Sequence, residues 1–249
     1  MRYEDRLPEV DKLQARIAAL RPLSQHELDE LKRYYRLGLT YSSNALEGNS
    51  LTESETKVVL EDGLTVGGKP LRDHLEALGH GEAFDLLFEL AGRAAIAERD
   101  ILELHRLFYQ RVNPAEAGRY RGRNVLITGT DYLPPPPAAL PGAMRELVAE
   151  LPALRLGHPV NYAAALHLRL VMIHPFVDGN GRTARLLMNL ALLQSGYPVT
   201  LIPPVLRADY IAALRAADAG DTAPFLNFIS GAVLESQREY LRLLAGLGV

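Results

Sequence analysis

A histidine, an aspartate and two arginines lie within twelve residues, at His174, Asp178, Arg182 and Arg185, around the Gly-Asn-Gly turn 179–181. A neutral imidazole can take a proton from a hydroxyl, and a carboxylate oxygen is a ligand that Mg²⁺ prefers in proteins. Arginines three positions apart on a helix are close enough to contact one polyphosphate. This combination indicates a polyphosphate site that contains a base.

The elements around this segment are predicted to present it to a ligand. Pro175 disfavours a helical conformation for the residue before it, so the apolar helix that begins near residue 160 should end at His174. Gly179 and Gly181 tolerate positive φ angles, and a new helix is expected over residues 181–194. The unpaired N–H groups and the dipole at the start of that helix attract an anion.

The rest of the chain is predicted to be mostly α-helical. Capping patterns that begin at Ser24, Thr52 and Asp100, each with a glutamate three residues later, mark helix starts. The β-prone residues 125–128 run into the prolines 134–137, which favours a short β-hairpin followed by polyproline. Apolar periodicity predicts helices near residues 9–21, 25–47, 53–62, 71–92, 101–112, 141–150, 160–173, 181–194, 207–218 and 222–245.

Composition and charge exclude several classes of protein. The 249 residues suit one domain of generous size, and 27 basic against 30 acidic side chains favour neither nucleic acid nor a membrane as a partner. The chain has no cysteine, so neither a disulfide framework nor a thiolate metal site is expected. The sequence begins without a signal peptide and has no long apolar run, which predicts a cytoplasmic protein.

Several other motifs have simpler explanations than catalysis. Residues 63–69 match the spacing of a P-loop superficially, but Pro70 stands where the magnesium-binding Ser or Thr belongs, so a surface turn is expected. His105 and His167 lie on apolar helical runs and are interpreted as packed core histidines. Three hairpin arginines fit a solvated edge or a substrate-facing flap better than a phosphate-binding patch. They are Arg119, Arg121 and Arg123.

The segment from His174 to Arg185 resembles, position for position, the signature of the Fic family, His-x-Phe-x-[Asp/Glu]-Gly-Asn-Gly-Arg-x-x-Arg. Residues 119–137 are similar to the family's flap, although Tyr132 stands near the position where family flaps often carry a histidine. Residues 43–48 resemble its inhibitory motif, [Ser/Thr]-x-x-x-Glu-[Gly/Asn], in the place typical of members with an N-terminal inhibitory helix. The resemblance extends over about residues 35–200.

The resemblance implies a mostly α, Fic-type helical bundle with a short β-hairpin flap. It divides the chain into an N-terminal helical segment 1–95 with the inhibitory motif 43–48, a core 96–205 with the flap 119–137 and the signature 174–185, and C-terminal helices 206–249. Apolar residues at helical spacing should pack those last helices on the core rather than form a partner surface. They are Phe225, Phe228, Ile229, Val233 and Leu234.

The resemblance also implies a protein adenylyltransferase, which moves AMP from ATP to a Ser, Thr or Tyr hydroxyl of a protein partner or of itself. His174 would be the base, and Asp178 would hold Mg²⁺, or Mn²⁺ in its place. The amides of the turn and the two arginines would hold the phosphates, with the γ-phosphate on Arg185. The turn amides are those of Gly179, Asn180 and Gly181, and the first arginine is Arg182.

Two further roles follow from the same resemblance. The flap would pair with an extended segment of the target, a case of strand addition, through Val125, Leu126, Ile127 and Thr128. Ser43 and Glu47 would form an inhibitory site in which Glu47 pairs with Arg185 and occupies the space of the γ-phosphate. The simpler interpretation of Glu47 is an inert helix end followed by a glycine cap. The resemblance also permits the reverse reaction, removal of AMP, with Glu47 orienting water.

Three other functions remain open at this point. A transferase of UMP, phosphoryl or phosphocholine groups would use the same histidine with a different donor. A nucleotide-responsive regulatory module would lack catalysis, although His174 and Asp178 argue against it. A nucleic-acid-binding regulator has the least support, because the chain lacks net basic charge. A homodimer is compatible with the sequence, which identifies neither the target protein nor its modified residue.

Overall fold

The computed structural model describes residues 3–127 and 130–249 of the chain. Within these residues the chain forms ten α-helices, and every helix predicted from apolar periodicity is present with its ends shifted by a few residues. The helices are α1 Leu7–Ala19, α2 Gln25–Leu46, α3 Glu53–Lys57, α4 Leu71–Ala91, α5 Glu98–Tyr109, α6 Leu140–Leu154, α7 Pro159–Ile173, α8 Asn180–Gln194, α9 Arg207–Asp218 and α10 Ala223–Gly246. The prediction of a mostly α fold is therefore confirmed.

Helix α8 is the centre of the bundle. It packs on α7, α4 and α5, and each residue from Arg182 to Leu192 is buried. A helix that is surrounded on all sides needs apolar residues all round, and the run 186–188 of Leu-Leu-Met supplies them. Since α8 begins at Asn180, its N-terminus is fixed by the packing of the whole core.

Helix α2 brings the predicted inhibitory motif to the core. The capping box predicted at Ser24 is present, with the Ser24 side chain accepting a hydrogen bond from the Glu27 amide. The helix ends at Leu46, with Glu47 at its C-cap and Gly48 at a φ of 94°. Glycine adopts this left-handed conformation without strain, so the chain turns sharply just after the Glu47 side chain.

The segment between α2 and α4 is a connection and not a nucleotide-binding loop. The predicted helix 53–62 is divided into α3, whose capping box at Thr52 is present, and a π-helical turn Val58–Asp62. Gly63, at a φ of 66°, ends that turn. Residues 63–69 therefore join two helices as a turn, as the proline at position 70 indicated.

The start of α5 differs from its prediction. Asp100 was expected to cap the helix from outside, but the helix begins at Glu98 and Asp100 is its third residue. The Asp100 carboxylate accepts a hydrogen bond of 2.8 Å from the amide of Ala97. An aspartate inside the first turn satisfies the same unpaired donors as a capping residue. The prediction of a helix start here is confirmed, but the start was placed three residues too late and Asp100 is not the cap.

The predicted β-hairpin flap is wrong for the described part of residues 119–137, which contains no strand. Residues 125–127 lie without a paired strand, Leu126 is 83% exposed, and Thr128 lies outside the described residues. A strand needs a row of backbone partners, and the prolines 134–137 have no N–H to donate. The segment ends in a short 3-10 helix, Pro137–Ala139, which leads into α6.

The C-terminal helices pack on the bundle as predicted. Helix α10 contacts α1, α9 and α7, and its five apolar residues named above are 0–5% exposed. The prediction of a packed face is confirmed, and the alternative of a partner surface is wrong for those residues. Among the helices of the described residues, none has both the length and the apolar character needed to span a membrane.

Candidate functional site

His174 ends helix α7 in an unusual backbone conformation. Its φ and ψ of 49° and 55° are left-handed, and its amide donates a hydrogen bond of 2.9 Å to the Leu170 carbonyl. A non-glycine residue at positive φ is uncommon and is typical of functional sites. The helix ends where the proline at position 175 predicted.

Arg121 holds this turn in place. Its Nε atom donates to the His174 carbonyl at 2.9 Å, and its own amide donates to the Pro175 carbonyl at 2.9 Å. The two other guanidinium nitrogens donate to the carbonyls of Arg123 and Pro135. Arg121 is only 2% exposed, so the interpretation of this residue as part of a solvated edge was wrong. Its planar guanidinium donates hydrogen bonds to backbone carbonyls that strand pairing would satisfy in a β-hairpin.

The contacts of the His174 ring define its chemistry. Its Nδ1 atom lies 3.3 Å from the carbonyl oxygen of Val171, which can only accept a hydrogen bond. We therefore assign the proton to Nδ1, which leaves a lone pair on Nε2. Burial lowers the pKa of His174 below its usual value, against the opposing effect of the Val171 contact. The imidazole is neutral at pH 7 and can accept a proton.

The turn after His174 is fixed by the side chain of Asn180. Its Oδ1 accepts from the Phe176 amide and its Nδ2 donates to the Phe176 carbonyl, both at 2.9 Å. Gly179 is the N-cap of α8 at a φ of 80°, and a Cβ there would lie 2.6 Å from the ring of Phe108. No side chain caps α8 within the described residues. The first amides of α8 are therefore available to an anion.

His105 is the packed histidine that the sequence predicted, and it also supports the turn. Its ring stacks on Phe176 with centroids 3.7 Å apart, its Nδ1 accepts from the Gly118 amide, and its Nε2 lies 3.1 Å from the Asp178 carbonyl. Burial lowers the pKa of His105 to about 4. His167 is likewise buried, and its Nε2 lies 2.9 Å from the Tyr210 hydroxyl. Both histidines are neutral parts of the core.

Four charged side chains form a closed ring beside this turn. Arg182 contacts Glu76 at 3.0 Å and Asp178 at 3.2 Å. Arg72 contacts the same two carboxylates, with its Nε 2.9 Å from Glu76 and a short contact from its other nitrogen to Asp178. Opposite charges alternate around the ring, so each neutralises its neighbours. Sequence reasoning missed Arg72 and Glu76, because only the packing of α4 on α8 brings them to the signature.

Asp178 is the one carboxylate of the signature. Burial opposes its ionisation, but Arg182, the Gly179 amide and Arg72 outweigh burial and hold its pKa below the usual value. Among the described residues, no group of three or more His, Cys, Asp or Glu side chains is arranged for a metal ion. Mg²⁺ is often held by one carboxylate together with substrate phosphates and water. Asp178 fits that mode, since its ionised carboxylate adjoins the anion-binding start of α8.

Arg185 meets the predicted inhibitory residues. Its Nε donates to the Ser43 hydroxyl at 2.9 Å, and a second nitrogen donates to the Ser43 carbonyl at 2.9 Å and to Glu47 Oε1 at 2.8 Å. The remaining nitrogen donates to the Tyr210 hydroxyl at 3.2 Å. Arg185 is buried, whereas 37% of the Glu47 side chain is exposed. Each of the three guanidinium nitrogens of Arg185 therefore contacts a residue of α2, its C-cap Glu47 or a residue of α9.

The Glu47 carboxylate lies directly over the first turn of α8. A Cβ placed on Gly181 would collide with Glu47 Oε1, which shows how closely the carboxylate approaches the helix backbone. Burial opposes ionisation of Glu47, but the charges of Arg185 and Arg182 outweigh burial and lower its pKa. A negative group therefore already occupies part of the region where the start of α8 attracts an anion.

Comparisons with known proteins identify the family of this chain. The model of the Fic/DOC family matches residues 95–192, which contain the whole signature. The solved structure of Fic-1 from C. elegans has a TM-score of 0.88 and 32% identity, and the match covers 96% of this chain and 72% of that one. This chain belongs to the Fic/DOC family. A Fic-domain signaling protein from Bacteroides thetaiotaomicron also matches, with a TM-score of 0.88, 30% identity, and coverage of 95% of this chain and 97% of that one.

Curated proteins named Fic are also similar to this chain in sequence. The protein adenylyltransferase Fic of Drosophila melanogaster is 38% identical over 241 residues, which are 96% of this chain and 48% of that protein. The protein of the same name from Drosophila erecta is 40% identical over 204 residues, which are 81% of this chain and 41% of that protein. The chain thus spans less than half the length of these Fic relatives.

Proposed function

We propose that this chain transfers AMP from ATP to a hydroxyl group of a protein. The observation that carries the proposal is the neutral imidazole of His174 beside the uncapped N-terminus of α8. A base and an anion-binding helix start, held by one rigid turn, are what a hydroxyl needs to attack a phosphate. The similarity to curated protein adenylyltransferases supports AMP as the transferred group.

In this mechanism His174 Nε2 takes the proton of the target hydroxyl. The hydroxyl oxygen forms a bond to the α-phosphorus of ATP, the bond from that phosphorus to the bridging oxygen breaks, and pyrophosphate leaves. The amides of Asn180 and Gly181 hold the phosphates at the start of α8, and the Gly179 amide joins them once it leaves its 2.6 Å hydrogen bond to Asp178 Oδ1. Arg182 and Arg185 balance the charge of the departing pyrophosphate. Mg²⁺, or Mn²⁺ in its place, held by Asp178 would neutralise the phosphates.

In this proposal the flap binds and positions the target protein. Residues 125–127 present backbone groups beside an exposed Leu126, so an extended segment of a target can pair with them. Tyr132, near which family flaps often carry a histidine, donates a hydrogen bond from its hydroxyl to the Met172 carbonyl at 3.1 Å. We infer that Tyr132 anchors the flap to α7 near His174. Modification of the chain itself follows if its own hydroxyls reach the flap.

Glu47 restrains this activity in the same proposal. Its 2.8 Å contact with Arg185 engages a guanidinium that the γ-phosphate needs. ATP that enters while Glu47 remains in place is therefore held with its α-phosphate out of line for attack. The inert-cap interpretation does not account for the carboxylate lying over Gly181.

The test is the identity of the group that the chain transfers. The Glu47→Gly variant, incubated with ATP and Mg²⁺, is expected to carry an adduct with the mass of AMP on a hydroxyl residue. The matched control is the Glu47→Gly/His174→Ala double variant, which should carry none. A phosphoryl, UMP or phosphocholine adduct, each of which has its own mass when the corresponding donor is offered, would contradict AMP transfer. Failure to turn over any of these donors would favour a regulatory module without catalysis.

A second activity, removal of AMP from a modified protein, is favoured by one contact pattern. Among the described residues, the hydrogen bonds to Glu47 reach Oε1, and the partly exposed carboxylate keeps Oε2 for water. A water molecule oriented there attacks the phosphorus and loses a proton to solvent through Glu47, and the bond from phosphorus to the target oxygen breaks. In this direction His174 must first be protonated at Nε2, and it gives that proton to the departing oxygen. The wild-type chain should release AMP from a modified target and Glu47→Gly should not. Equal release by both would contradict this second activity.

A further inference from the structure

Arg72 contacts the Asp178 carboxylate from outside the signature. The Oδ1 atom of Asp178 already accepts hydrogen bonds from the Gly179 amide at 2.6 Å and from Arg182 at 3.2 Å. The Oδ2 atom accepts a short hydrogen bond from Arg72. Both carboxylate oxygens are thus in contact with donors, and Oδ2 is the one whose donor comes from outside the signature.

The two arginines on Asp178 differ in their freedom to leave. Arg182 has a side chain that is 4% exposed, pairs with the buried Glu76, and lies over the ring of Phe108 at 4.4 Å. Arg72 has a side chain that is 54% exposed. A buried guanidinium loses its partners if it moves, whereas an exposed one can turn into water. Arg72 is therefore the cation that can be displaced.

The helix dipole alone disfavours an arginine at the position of Arg72. It is the second residue of α4, in the turn where the helix dipole and the free amides favour negative side chains. The next residue, Asp73, follows that preference. Arg72 departs from this preference for negative side chains, and its charge contacts the predicted metal ligand. Such a departure at the edge of a candidate site is typical of a functional residue.

We propose that Arg72 is a built-in counter-ion that competes with the divalent cation for Asp178 and so sets the metal requirement of the site. This inference rests on the proposed metal site of the transferase. A divalent ion on Oδ2 and a guanidinium within hydrogen-bond distance of the same oxygen repel each other, so the two states exclude one another. Arg72 keeps its contact with Glu76 in either state, so the side chain turns away from Asp178 without leaving the ring.

Calorimetric binding of ATP, in the presence of Mn²⁺ and in the presence of EDTA, tests the proposal without turnover. The background is the full chain with Glu47→Gly and His174→Ala, so that nucleotide enters the site and is not consumed. We define the metal gain as the dissociation constant of ATP in EDTA divided by the dissociation constant of ATP with Mn²⁺. Arg72→Met should increase this gain by up to roughly fivefold, the range expected when a partly exposed competing ion pair is removed.

Arg36→Met is the matched control. Arg36 also joins α4 to a neighbouring element through an exposed ion pair, with Asp85 at 3.0 Å, but it does not contact Asp178. It should leave the metal gain unchanged. A gain in Arg72→Met that is equal to or smaller than that of the background would overturn the role of Arg72 alone. Equal ATP binding with Mn²⁺ and with EDTA in every variant would instead overturn the metal site itself.

Discussion

At the scale of single residues, the site depends on contacts that fix one neutral ring. The backbone of His174 is held by Arg121, and its Nδ1 atom faces a carbonyl, so only Nε2 is presented as a base. Positioning of this kind reduces the loss of freedom when a hydroxyl binds for attack. The proton-accepting state of this ring is therefore built into the fold and does not depend on a bound target.

The pH dependence of transfer should report this ring. Burial lowers the pKa of His174 below the usual imidazole value of about 6.5, so most of the base is still neutral at that pH. Activity of the Glu47→Gly variant is expected to reach half of its maximum only below about pH 6.5. The measurement is the initial rate of AMP incorporation across this range. A rate that falls to half of its maximum at or above about pH 6.5 would contradict a base whose pKa is lowered by burial.

Sequence identified the residues of the signature but not all of their neighbours. His174, Asp178 and Arg185 were recognised because their types and spacing lie within one short segment. Arg121 was misplaced on a solvated edge, and Arg72 was not recognised, because both act across long separations along the chain. A guanidinium that binds carbonyls has no local pattern that distinguishes it from a surface arginine.

At the scale of elements, the site depends on close packing of the helices that surround α8. Helices α4 and α5 approach so closely that a Cβ on Gly79 would collide with the carbonyl oxygen of Phe108. The spacing of apolar residues predicted the helices, because each helix buries one face formed by residues three or four positions apart. The same reasoning failed for the flap, because strand pairing depends on a partner that the local sequence does not reveal.

One substitution at two glycines should have opposite effects on stability. Gly79→Ala forces a methyl group against backbone and should lower the free energy of unfolding by roughly 1–3 kcal/mol or more. Gly231→Ala in α10 meets no atom within 4 Å and should raise it by roughly 0.5–1 kcal/mol, since alanine favours helix. Urea unfolding of both variants beside the wild type checks the signs. Equal effects would contradict the close contact of α4 and α5.

At the scale of the whole molecule, three distant segments meet at one anion-binding helix start. Helix α2 supplies Glu47, α4 supplies Arg72 and Glu76, and α7 and α8 supply the signature. Buried neutral histidines lie in the packing between these helices. Burial lowers the pKa of His80 and of His167 to about 3, and of His105 to about 4. The fold that assembles the site is therefore sensitive to acid.

The free energy of unfolding should fall as the pH is lowered from 7, before the carboxylates begin to bind protons. Above about pH 6.5 these three histidines are mostly neutral in both the folded and the unfolded state, whereas below that pH the unfolded chain binds a proton that the buried ring does not accept. Each buried imidazole should cost roughly 1 kcal/mol of unfolding free energy between pH 7 and 5.5. Urea unfolding at the two pH values measures this loss, and His80→Leu should reduce it by about one histidine. A pH-independent wild type would show that these rings accept protons in the folded state.

The most direct test of the central claim compares labelling by three forms of the chain. Wild type, Glu47→Gly and Glu47→Gly/His174→Ala are each incubated with ATP labelled at the α-phosphate, Mg²⁺ and a lysate of the native cell. The proposed mechanism predicts strong labelling of protein by Glu47→Gly, weak labelling by wild type, and none by the double variant. Equal labelling by Glu47→Gly and the double variant would contradict His174 as the base, and equal labelling by wild type and Glu47→Gly would contradict the restraint.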